Sequence, residues 1–161
     1  MVSDLKQSGS SYASWIKGYF PTETDPAIIG ADADPDKDSI ANGVEMVIGG
    51  NPASVMDTAL LPTLELVTNP VGILPAGDYF LFTFRQTDLS VTAGVAAACE
   101  YDTDLVGLWA TAQDGVNGVT TLVDDNYASF TPPATDTDRV RVYIPRGANP
   151  KLFGRLNVLV P

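Results

Sequence analysis

From residue 44 onward apolar residues fall in short runs bounded by turn formers, and in the clearest of them they alternate with their neighbours. The clearest run is Tyr79 to Gln86, where Phe80, Phe82 and Phe84 share one face and Tyr79, Leu81, Thr83 and Arg85 share the other. That period is the one a strand demands, because successive side chains point to opposite faces. The all-aromatic face is the expected core face. In Arg139-Val140-Arg141-Val142-Tyr143-Ile144 the valines and Ile144 are expected to point inward and the arginines outward. The same reasoning predicts strands at 44–48, 63–67, 90–100, 105–112, 119–124, 127–131 and 151–160. Gly49-Gly50-Asn51-Pro52, Asn69-Pro70 and Pro75-Ala76-Gly77-Asp78 supply turns between them. Eight or nine strands spaced roughly 8 to 14 residues apart, with no helical stretch between them, predict an all-β fold. A jelly-roll-like β-sandwich with a short N-terminal helical or extended arm is the preferred version.

The N-terminal part departs from this pattern. Tyr12, Trp15, Ile16 and Tyr19 lie at helical offsets, with Ser10 or Ser11 available as a cap and Gly18 and Pro21 as stops. So short a helix has to dock on something. Docking on its own sheet and docking on a neighbouring subunit both stay open, and in the second case Tyr12, Trp15, Ile16, Tyr19 and Phe20 form a partner surface. Residues 21–43 hold three prolines, two glycines and six acids and read as an irregular arm or long loop. The expected division is an arm with an acidic loop over 1–43 and a β-sandwich domain over 44–161.

Composition narrows the chemistry. A chain of 161 residues suits one domain. The formal net charge of −11 repels phosphate backbones, so nucleic-acid binding is not expected. No apolar stretch is long enough to span a bilayer, and Met1 to Ser10 lacks the apolar core of a secretory signal. The chain has no histidine, which removes Ser-His-Asp and Cys-His catalysis and histidine-ligated zinc. Its one cysteine, Cys99, sits in an apolar run and is expected to be a small buried hydrophobe. A paired-carboxylate glycosidase needs only acids, but acids in Asp-rich turns are commonly just solvated. No catalytic residue is assigned, and a non-enzymatic role is expected.

Two charge patterns remain. Counting Asp34 as position 1, Asp34, Asp36, Asp38 and Glu45 fall at positions 1, 3, 5 and 12, the carboxylate spacing of a calcium loop, with Asp32 as a further oxygen donor. Position 6 is Ser39 where such loops use glycine, so a solvated acidic loop competes with a calcium site. No other cofactor is implied. Between residues 20 and 138 nineteen acids face Lys37 and Arg85, whereas from 139 onward there are five bases, Arg139, Arg141, Arg146, Lys151 and Arg155, and no acid. These bases either neutralise acidic loops of the same fold or meet acidic faces of identical chains head to tail, closing a homotrimer.

A short aromatic N-terminal segment, a Pro- and Asp-rich arm, a compact β domain and Ile144-Pro145-Arg146-Gly147 between the last strands resemble tailed-phage capsid decoration, or cement, proteins. The resemblance is one of outline. It implies a small oligomer on the outer virion surface that binds the major capsid protein and stabilises the capsid, with no membrane or nucleic-acid partner. The competing reading is a carbohydrate-binding β-sandwich, lectin-like or a phage fibre tip, with Trp109, Tyr101 and Tyr127 as stacking platform. Trp109 lies in the run Leu105-Val106-Gly107-Leu108-Trp109, for which core packing is expected.

Overall fold

The computed structural model describes residues 11–55, 57–70, 72 and 74–161; the expectations placed on Met1 to Ser10 lie outside them. The elements run α1 (Tyr12–Tyr19), α2 (Pro26–Ile29), α3 (Asn42–Ile48), a 3-10 turn (Asp57–Leu60), β1 (Thr63–Thr68), β2 (Asp78–Thr87), α4 (Asp88–Thr92), β3 (Ala96–Asp102), β4 (Ala110–Thr111), β5 (Thr120–Asp124), β6 (Thr137–Pro145) and β7 (Phe153–Leu159). The strands form two antiparallel sheets, one of order β1-β2-β6-β5 and one of order β4-β3-β7. The architecture is mostly β, with a few short helices.

The core lies where the apolar faces of the sheets meet. Phe80, Phe82 and Phe84 of β2 and Val140, Val142 and Ile144 of β6 are buried there with Cys99 of β3, and Leu156 and Val158 of β7 pack against them. This is the face assignment the alternation predicted. Gly154 in β7 shows how closely the sheets approach, since a Cβ built there would lie 2.9 Å from the Phe82 ring. The opposite face of β2 is not solvated either. Tyr79 and Leu81 form a second buried cluster with Tyr143, and Arg85 is also buried.

Four expected strands are corrected. Residues 44–48 are helix, not strand, and α3 is wrapped by protein so fully that Asn42, Gly43, Glu45, Met46, Val47 and Ile48 are all buried. A helix buried all round shows a continuous apolar run and loses the 3.6-residue period that would reveal it. Gly49, in the left-handed region at φ 82°, closes it. The predicted strand 90–100 starts as α4, because the Thr87 side chain accepts the Ser90 amide and caps a helix there; β3 begins only after Gly94. Residues 105–112 supply only the two-residue β4, since Leu105 and Gly107 adopt positive φ and break any strand before it. Residues 127–131 form a loop.

The N-terminal segment is a helix, capped by Ser11, whose side chain accepts the Ser14 amide. It docks on its own chain: Ile16 is buried, Tyr12 and Trp15 pack against the core, and the Tyr12 hydroxyl donates to the Ile29 carbonyl at 2.9 Å. Its main support is α3 rather than a sheet face. The arm behind it is tied down too. Asn42 Nδ2 donates to the carbonyls of Ile28 and Gly30, both at 2.8 Å, and the amides of Asn42 and Gly43 donate to Ala33 and Ala31. Loop carbonyls thereby satisfy amides that the first turn of α3 would leave open.

Candidate functional site

Three of the four residues with calcium-loop spacing come together. Ligand oxygens of Asp34, Asp36 and Asp38 lie within 4.8 Å of one another. Glu45 does not join them. It belongs to α3, fully buried, and acts electrostatically on Tyr12, whose hydroxyl is pushed up to about 12, chiefly by burial. The twelfth position of a calcium loop closes the shell only when a helix or strand brings it back beneath the loop, and here α3 carries it elsewhere. Asp32, the further donor, is exposed and outside the group.

The three carboxylates already organise their own loop. Asp34 accepts the amides of Lys37 at 2.8 Å and Ser39 at 2.9 Å, Asp36 accepts that of Asp38, and Asp38 accepts that of Ile40. These turns hold Lys37 and Ser39 at positive φ. Burial, followed by the charges of Asp38 and Asp34, raises the Asp36 carboxyl above its ordinary 3.8, even though the Asp38 amide pulls the other way. The folded state therefore disfavours ionised Asp36. That cost is absent below the unfolded value and complete once pH passes the folded one. Asp36→Asn should accordingly raise the melting temperature at pH 7 and leave it unchanged near pH 3, about a unit below the free carboxyl. A variant that melts lower than native at pH 7 would show that the charge of Asp36 supports the loop.

The basic residues of the last two strands meet acids of their own chain. Arg139 and Arg141 share Asp124, at 2.7 and 2.9 Å, Arg146 reaches Asp78 at 3.4 Å, and Arg155 reaches Glu100 at 2.6 Å. Lys151 lies over the Phe153 ring. Burial alone would raise the Asp124 carboxyl, but hydrogen bonds and charges from Arg139 and Arg141 outweigh it and hold that carboxyl low. The segregation of charge along the sequence is thus compensated in space within one subunit. Of the N-terminal apolar residues, Tyr12, Trp15 and Ile16 face the chain itself, Phe20 is half-buried, and Tyr19 stands on the exposed side.

Trp109 is not in the core. The run before it projects into solvent, with Val106 79% and Leu108 98% exposed and Leu105 exposed as well. Trp109 itself is half-buried on the outer face of the smaller sheet, where the Arg155 guanidinium lies 4.4 Å over its ring. Arg139 covers Tyr127 in the same way at 3.7 Å, and Tyr101 packs against the core. Cys99 is buried as expected, and burial pushes its thiol up to about 12, far from a reactive thiolate.

Two features were not singled out from sequence. Asp88, Asp125 and Asp138 bring carboxylate oxygens within 4.8 Å of one another, and burial together with Asp138, Asp136 and Asp125 raises Asp88. Their sequence separation hid them. The other is Arg85, read from its alternation as an outer-face residue yet only 6% exposed. Its Nη2 donates to the Pro132 carbonyl at 2.8 Å and its guanidinium lies 4.3 Å over the Phe130 ring. Among the described residues no carboxylate comes within ion-pair distance of it. No described helix is long and apolar enough to cross a membrane. Comparison with family models, curated proteins and solved structures finds no match to this chain.

Proposed function

We propose that this chain is a non-enzymatic assembly protein with a jelly-roll-like sandwich. It attaches as a small oligomer, a homotrimer, to the outer surface of a virion, in the manner of a capsid decoration protein. The observation that carries an assembly role is the loop Leu105 to Leu108. Three large apolar side chains are held in water at the tip of a well-packed β scaffold. A folded chain gains nothing from leaving Leu108 almost wholly exposed, and contiguous apolar surface of this kind marks protein contacts. Loops on rigid scaffolds are also where binding groups are usually presented. The partner this reading assigns is the major capsid protein. The carbohydrate reading has less support, because Trp109 and Tyr127 each have a ring face covered by an arginine and Tyr101 is packed inward.

The test separates attachment from folding. Val106→Asp and Leu108→Asp alter exposed positions and should shift stability by no more than about 0.5 kcal/mol. Both should reduce cosedimentation with capsid shells of the virus whose genome encodes the chain, by about tenfold or more if the loop is the anchor. Native protein that fails to sediment with the shells would remove the capsid reading. Variants that sediment as well as native protein would remove the loop as its contact.

A further inference from the structure

Arg85 stands on the wall of a small pocket on the outer face of the larger sheet. The pocket has a volume of about 150 Å³, and Leu60, Leu61, Thr63, Thr83 and Phe130 line it together with Arg85. Thr63 and Thr83 are cross-strand partners in β1 and β2, so their positions side by side follow from the register. The loop after β5 closes the other side, with Phe130 stacked on Arg85 and edge-on to Tyr127.

The charge balance here is unusual for the chain. Arg85 lies directly across from Arg139 in the β2–β6 register, and Arg141 follows on the same face. Arg139 and Arg141 both use Asp124, so among the described residues the three guanidinium groups have one ion-paired carboxylate between them. Like charges facing each other across strands are destabilising, and a buried cation without a counter-ion costs more. Arg85 makes one hydrogen bond, to Pro132, although a guanidinium carries five donors in a planar fork that matches a carboxylate. A cavity of about this size holds a benzene ring when its walls are apolar. Here the lining side chains are apolar except for the arginine and three threonines, Thr63, Thr83 and Thr131.

We infer that this pocket binds a carboxylate carrying a small apolar body, with the carboxylate on the Arg85 guanidinium and the body against Leu60, Leu61 and Phe130. The carboxylate comes either from a free small acid or from an acidic side chain of a second copy of this chain. The inference does not rest on the virion reading, since the pocket and the 105–108 loop are separate features.

Benzoate is the probe and benzamide its neutral control, with binding followed by NMR shifts of the Arg85 Nε–H and the Phe130 ring. Benzoate should bind in the millimolar range and at least about tenfold more tightly than benzamide, the factor that one charge-assisted hydrogen bond supplies. Arg85→Gln should abolish the preference. Because that variant removes a buried group and can unfold, Leu61→Trp provides the second arm. Leu61 is exposed at the pocket rim, so the larger ring should block entry with the melting temperature retained. Equal binding of benzoate and benzamide, no shift at Arg85, or unaltered benzoate binding by folded Leu61→Trp would each overturn the inference. Sedimentation with and without benzoate separates the two sources. Oligomers that dissociate with benzoate identify an acidic side chain of a second copy as the occupant, and an unchanged sedimentation coefficient identifies a free acid.

Discussion

Phe82→Ala should lower the unfolding free energy by about 3 to 5 kcal/mol, the range for emptying a buried aromatic site. Phe82 is 2% exposed, near the middle of β2, paired in register with Leu64 on one side and Val142 on the other. Its ring packs against Phe84 with centroids 6.0 Å apart, and across the core it meets the bare backbone of Gly154. A glycine there gives the neighbouring strand no side chain with which to fill the space left by a truncated ring. The loss should therefore combine the transfer term with a cavity term, with little relaxation to offset it. Urea denaturation followed by circular dichroism measures it. A midpoint unchanged from native protein would mean that the two sheets do not meet at this ring.

The second large effect is expected at Asn42, a polar residue with no solvent exposure. Its side-chain amide donates to the carbonyls of Ile28 and Gly30; Asn42→Ala leaves the Ile28 carbonyl without that donor, while Gly30 keeps the Ala33 amide at 3.1 Å. An unsatisfied buried carbonyl costs on the order of 1 to 3 kcal/mol, and Asn42→Ala should lower stability by about that much. Asn42→Asp should be worse. It replaces the donor by a buried negative charge facing two carbonyl oxygens, and burial of an unpaired charge is the costlier defect. The order native, Ala, Asp in thermal melts is the result to look for. Equal stability of Asn42→Asp and native protein would show that the arm is not held to α3 by this side chain.

The elements legible in the sequence were those whose signal is local. Strands at 63–67, 79–86, 119–124, 139–144 and 151–160 all have counterparts in the fold, within a few residues at their ends. The aromatic stripe from Tyr12 to Tyr19 and its serine cap were legible for the same reason, as were the inward valines of β6 and the buried cysteine. The candidate site was legible only in part. The spacing of Asp34, Asp36 and Asp38 brought three carboxylates together because Asx turns form within a few residues, whereas Glu45 was lost to a helix that sequence reading took for a strand.

Alternation and capping act between neighbours in the chain, and the sequence by itself therefore determined the strands at 63–67, 79–86, 119–124, 139–144 and 151–160, which face of β2 and β6 is apolar, and how α1 begins. What lies beside a residue in space was decided only by the tertiary structure. The surplus of bases after residue 139 reads as a free cationic face until folding sets Arg155 beside Glu100 and Arg141 beside Asp124, 55 and 17 positions away in the chain. Leu105 to Leu108 reads as core until two positive-φ residues turn it out into water, and Arg85 reads as solvated until a loop 45 positions later stacks Phe130 upon it. For the charged residues the side chain's own polarity is unchanged; its energy is set by partners that only the pairing of distant strands brings within a few ångströms, where Coulomb attraction and desolvation are strong.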